Sequence, residues 1–136
     1  RVDDVESTDT PTFSGVTCTG ATSGLGYATG AGGAVTQITN RSTGVTLSTV
    51  TGAITTDTTS LAAGAAASFT VTNTAVAITD TVVVSIRSGA TTSQTNVRVT
   101  AVAAGSFDIT VENNHASTAE TGAIIINFAV IKGVAA

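Results

Sequence analysis

The sequence has no tryptophan and no methionine, and only one proline, one cysteine, one histidine and one tyrosine. Each scarcity excludes something. A lone cysteine, Cys18, cannot form an intrachain disulfide. With no basic or histidine neighbour nearby in sequence, it reads as a small, partly buried strand residue and not as a reactive thiol. Cys18 and His115 are too few ligands for a zinc site. His115 falls in a polar loop, residues 113–117, and is expected to be a surface histidine. No Gly-x-Ser-x-Gly elbow is present, so a Ser-His-Asp triad has no local support. Without tryptophan a glycan-reading face would lack its usual aromatics. Phe69, Phe107 and Phe128 fall on inward positions of their segments, which leaves Phe13 and Tyr27 as candidate contacts.

Charge is equally sparse. Only 10% of residues are charged and the net charge is -4. The five basic residues, Arg1, Arg41, Arg87, Arg98 and Lys132, are scattered, so no nucleic-acid partner is expected. No apolar run is long enough to span a bilayer; the longest, near the C-terminus, is cut by Asn127, so no membrane partner is expected. The chain begins at Arg1 and contains no methionine, which suggests a processed N-terminus or a piece of something longer.

Threonine fills the gap, at roughly a fifth of the chain, far above average usage. It is β-branched and suits strands, while the good helix formers Leu, Glu, Lys and Gln are scarce. The class is therefore all-β. Short alternating runs follow one another: residues 35–39, 45–50 continuing toward Ile54, 68–72 and 81–87. Residues 96–112 read as a hairpin. In it Val97, Val99 and Ala101 share one face, Phe107, Ile109 and Val111 point inward, and Gly105 supplies a positive φ at the turn. Arg98 is placed to oppose a carboxylate on the outer face. Residues 123–132 are apolar on both faces, as in a strand that lies centrally or faces a subunit neighbour. Seven or eight short strands with frequent turn signals predict an antiparallel β-sandwich, jelly-roll-like. An acidic stretch, residues 1–15 with Asp3, Asp4, Glu6 and Asp9, precedes them; it lacks calcium-loop spacing and reads as a solvated or partner-docked arm. The expected division is an extended N-terminal arm and linker, 1–23, and a sandwich domain, 24–136.

One motif pulls the other way. Residues 19–26, TGATSGLG, match the TGxxxGxG pattern with which short-chain dehydrogenases cradle a dinucleotide. That cradle needs a helix after the glycines. Here more glycines follow, Gly30, Gly32 and Gly33, and then a strand. No acidic residue stands some twenty positions on, and Tyr27 has Ala31 four places later where that family has lysine. No cofactor is expected. The glycines instead let backbone approach backbone, or let loops crowd a symmetry axis.

Residues 24–53, GLGYATGAGGAVTQITNRSTGVTLSTVTGA, together with LAAGAAASFTVTN, ITDTVVVSIRSG, VTAVAAGSFDITVENN and IIINFAVIKG, resemble recurring segments of tailed-bacteriophage virion proteins. The resemblance covers about residues 24–133. Residues 9–20 are similar to the threonine-rich strands of trimeric phage fibres. The resemblance implies a non-enzymatic structural protein on the outer surface of a phage particle. It would be a head decoration or head-fibre subunit forming a homotrimer, partnered by itself and by the major capsid protein or a preceding fibre segment. A tail-fibre module that binds a host receptor or glycan is the alternative. Pro11, Phe13, Tyr27, Gly30, Gly32 and Gly33 are the candidate docking or interface residues; no catalytic or metal residue is expected.

Overall fold

The computed structural model describes residues 13–22 and 24–135. Eight strands occur among them and no helix: β1 (Gly32–Thr36), β2 (Val45–Thr46), β3 (Thr51–Thr55), β4 (Ala66–Thr72), β5 (Thr81–Ser88), β6 (Thr95–Ala103), β7 (Ser106–Asn113) and β8 (Ile125–Ile131). They form two four-stranded sheets, ordered β1-β3-β8-β5 and β2-β4-β7-β6. The sheets pack face to face as a sandwich.

Period-two patterning sets which face is inside. Phe69 and Val71 of β4, Phe107, Ile109 and Val111 of β7, and Ile126, Phe128 and Val130 of β8 form the core with Ile54 and Ile124. Phe107 and Phe128, one from each sheet, meet at 5.3 Å between ring centroids, tilted by 55°. Such an aromatic pair adds about 0.5–1.5 kcal/mol beyond its burial. The strand that is apolar on both faces, β8, lies centrally between β3 and β5.

The all-β sandwich expected from composition is what forms. Its ladders are mixed rather than antiparallel throughout, because β1 pairs with β3, and β2 with β4, in parallel. The cause lies in residues 47–50. Instead of continuing one long strand toward Ile54, the chain leaves the second sheet at Thr46 and enters the first at Thr51. Both edge strands thereby run alongside the strand that follows them by a crossover. Gly52 makes this crossing possible. A Cβ there would lie 2.8 Å from Leu47 Cδ2, 2.9 Å from the Gly33 carbonyl and 3.0 Å from the Phe128 ring.

Two further expectations shift in detail. The first strand starts inside the glycine run, at Gly32, and ends at Thr36; Gln37 and Thr39 lie beyond it. In the hairpin, Gly105 does take a left-handed φ of +81°. The β6 ladder, however, slips between Val99 and Ala101. The extra residue turns Ala101 outward and gives the inward place opposite Phe107 to Val102. Arg98 pairs with Glu112 at 2.7 Å on the outer face, as its position suggested.

Candidate functional site

The outward positions of β1, β3 and β8 hold only Gly, Ala, Thr, Asn and Ile. No charge projects from these three strands. The outer face of the second sheet is different: Thr70 donates to Asp108 at 2.7 Å, Ser68 and Thr110 share a hydrogen bond of 2.7 Å, and Arg98 pairs with Glu112. The two sheets therefore present different surfaces: β1, β3 and β8 are neutral and partly apolar, with Arg87 on the remaining strand β5, and the second sheet is ionic and hydroxylated.

At one end of the neutral face the large apolar side chains collect. The register sets Val83 of β5 beside Ala129, and Thr81 beside Ile131. Residues 24–27 run over this end, where the Tyr27 hydroxyl donates to the Val130 carbonyl. Leu25, Gly26 and Tyr27 then form one wall of an open groove of about 460 Å³, with Ala129, Ile131 and Lys132 opposite. Leu25 is 83% exposed, Tyr27 46%, Val83 50% and Ile131 57%. Ile78 and Val134, also exposed, flank the contact in which Thr79 Oγ1 donates to the Gly133 carbonyl at 3.1 Å. Leu25, Tyr27 and Ile131 thus share one groove, with Val83 on the neighbouring strand and Ile78 and Val134 in the segments just outside β5 and β8. Clustering of this kind, unlike scattered exposed leucines, marks interaction surfaces.

A charged clasp stiffens that end. Asp80 has a fully buried side chain that accepts from the Ala77 amide at 2.8 Å, from the Gly133 amide at 3.0 Å and from the Lys132 ammonium. The Ala77 amide, then Lys132 and the Gly133 amide, hold its carboxyl at about 2, well below the usual range. The clasp ties the residues after β8 to the loop before β5.

Of the residues singled out from sequence, Tyr27 enters this cluster. Gly30 sits in the turn leading out of it, with φ of +93°, where the Ala31 amide closes on the Ala28 carbonyl at 3.1 Å. Gly32 and Gly33 lie in β1 on the far margin of the same sheet. Gly33 faces inward, where a Cβ would come within 2.8 Å of Leu47 Cδ1. Phe13 is exposed and apart, and Pro11 lies outside the described residues. Cys18 is exposed in an irregular segment rather than partly buried in a strand. The extended arm reaches into the described chain only as residues 13–22.

Sequence patterning gave no sign of the polar cluster at the opposite end. Arg41 and Glu120 are both buried. Arg41 donates to the carbonyls of Thr59 at 2.6 Å and Gly122 at 2.9 Å and to Thr56 Oγ1 at 3.1 Å. Burial pulls its pKa down while the charges of Glu120 and Asp57 act to raise it. The Glu120 carboxylate accepts from the amides of Thr91 and Gly122 and from Thr95 Oγ1, at 2.8, 2.7 and 2.5 Å. Asn113 joins in, donating to the carbonyls of Leu61 and Thr118 at 3.0 and 2.9 Å. The polar groups of this cluster are spent on main-chain groups and on the hydroxyls of Thr56 and Thr95, which makes it architecture. His115 is similar: it is half-buried, and its Nδ1 accepts from the Ser117 and Thr118 amides at 3.1 and 2.9 Å. Among the described residues no three His, Cys, Asp or Glu side chains gather as a metal site. Among the described residues no helix is long and apolar enough to cross a membrane.

No protein-family model, curated protein or solved structure gives a match to this chain.

Proposed function

We propose that the chain is a non-enzymatic structural protein of a phage virion, a head decoration or head-fibre subunit that assembles as a homotrimer on the outer surface. The observation that carries this reading is the cluster of exposed apolar side chains around Tyr27, at the end of the sheet where the N-terminal segment departs. Subunit contacts favour such surfaces, with aromatics at the centre and few charges. The charge-free outer surface of β1, β3 and β8 beside the cluster lets copies of an acidic protein approach without facing carboxylates. The buried Arg41 and Glu120 clusters give the sandwich fixed loop ends, a property of rigid building blocks. The sequence resemblance over residues 24–133 supplies the virion context. In this reading the arm, residues 1–23, docks on the major capsid protein or on a preceding fibre segment, and the sandwich, residues 24–136, forms the body.

Native mass spectrometry of the purified chain tests the assembly, with a stable trimer expected; a monomer at tens of micromolar (the range on the order of ordinary oligomer affinities) removes it. Imaging of intact particles tests the location. Many copies following capsid symmetry support the head assignment, and a few copies at the tail support the receptor-binding alternative.

A further inference from the structure

Residues 24–30, GLGYATG, carry no charge and cross the end of the first sheet on a single tie. The tie has its origin in the ladder. The Val130 amide donates to the Val50 carbonyl at 2.8 Å. In antiparallel pairing the carbonyl of the same residue faces the same neighbour. β3 begins only at Thr51, so the Val130 carbonyl accepts from the Tyr27 hydroxyl instead. Among the described residues this is the one hydrogen bond from residues 24–30 to a strand.

On either side of that tie the segment stands clear of the body. A Cβ added at Gly26 or at Gly30 would meet no described atom within 4 Å, and Gly30 has a φ of +93°, which residues with side chains rarely adopt. Glycines so placed absorb a change of backbone direction at little cost. Beneath the segment the groove is open, with Leu25 on one wall and Ala129 and Ile131 on the other. A largely exposed leucine thus stands across a gap from other exposed apolar side chains, and burying them together is favourable.

We propose that residues 24–30 are a hinged strap that closes on this groove. Leu25 then seats against Ala129 and Ile131, Tyr27 stays on Val130 as the pivot, and the closed strap withholds the apolar end from other copies. The occupant is the chain's own Leu25 because it is already held beside the groove. Tyr27 is fastened to β8 two residues later, and two residues span at most about 7 Å. A segment of another copy has no such tether. The closed strap is the form of the free chain, and the open groove is the form that associates. The inference rests on the self-association proposed above and names what regulates it.

Two experiments on the full chain test it. Methyl NMR of the dilute, unmodified protein should show contacts from the Leu25 methyls to those of Ala129 and Ile131; their absence overturns the closure. Leu25→Cys with Ala129→Cys, in a Cys18→Ser background, should form a disulfide within one chain under mild oxidation, which requires Cα atoms within about 7 Å. Intact mass and a non-reducing gel read the product. A disulfide between chains, or none, overturns the closure as well. The oxidised form should self-associate at least about tenfold more weakly than the same protein reduced. Equal association of the two forms overturns the withholding and leaves the self-association reading standing. If the reduced form and the unmodified protein are both monomeric, that reading falls and the withholding with it, while the methyl contacts and the disulfide still decide the closure.

Discussion

Arg41 reaches the main-chain carbonyl of Glu120, at 3.3 Å from Nη2, and not its carboxylate. The two buried charges are neighbours from different loops that meet without forming an ion pair. Each is neutralised by backbone: carbonyls converge on the guanidinium, and amides with one hydroxyl converge on the carboxylate. Glu120 also exchanges two 2.9 Å backbone hydrogen bonds with Leu61. The long connection before β8 is therefore pinned at a point far from either sheet's ladder.

Because the Glu120 carboxylate serves several donors at once, replacing it should strand them. Glu120→Gln keeps the shape but turns one acceptor oxygen into a donor facing other donors. The expected loss is about 2–4 kcal/mol of unfolding free energy, in the range for buried polar groups left unsatisfied. Thr95→Ser, which retains the hydroxyl, should cost less than about 1 kcal/mol. Urea denaturation of both variants measures the difference; equal losses would mean the hydrogen bonds to Glu120 contribute little.

Acid should unfold the protein through two carboxyls. Burial alone would raise the Glu120 pKa, but hydrogen bonds from Thr95, Thr91 and Gly122 outweigh it and bring it from 4.5 to about 2. Asp80 falls from 3.8 to about 2. Both folded values lie below the unfolded ones, so between them the unfolded chain binds more protons. Their contribution is complete above about pH 5 and is lost as pH falls toward 2. Unfolding free energy followed over that interval should decline, and the decline should be shallower in Glu120→Gln and in Asp80→Asn.

The crossing of residues 47–50 between sheets makes a graded prediction about two glycines. An added methyl at Gly52 meets a backbone carbonyl and an aromatic ring as well as Leu47, whereas one at Gly33 comes closest to the movable end of Leu47. Gly52→Ala should cost about 1–3 kcal/mol and Gly33→Ala clearly less, since overpacking is penalised when neighbours cannot yield. Thermal unfolding of the two variants gives the order directly.

Much of this architecture was legible in sequence because it is carried by alternation. Val82, Val84 and Ile86, and Phe107, Ile109 and Val111, sit on the sides their spacing assigned. What alternation cannot show is where a strand changes sheets or gains a residue. Val45 to Ile54 reads as one run because no glycine or proline interrupts residues 45–51, yet it spans both sheets. Thr100 looks like any outward threonine, yet the bulge there reverses the phase after it. Arg41 and Glu120 lie in polar loops separated by most of the chain, so nothing local marked them as buried. Tyr27 drew attention as the sole tyrosine; the apolar residues gathered near it, Leu25, Val83 and Ile131, were not singled out, since each is an ordinary residue of its own segment.

That grouping yields the most direct experiment on the outer face. Ile131→Asp places a carboxylate in the middle of the apolar end, opposite Leu25 and Tyr27. Ile131 is mostly exposed, so the fold should lose no more than about 0.5 kcal/mol. If copies meet through this end, a buried unpaired charge should weaken self-association by at least about tenfold, or 1.4 kcal/mol. Thr72→Asp, on the outer face of the second sheet beside Ser106, carries the same charge change to a surface already rich in charged and hydroxyl groups. Sedimentation equilibrium of the two variants separates a site effect from a net-charge effect. Dissociation of Ile131→Asp alone places the contact at the Tyr27 end of the first sheet; equal behaviour of both variants would move it elsewhere.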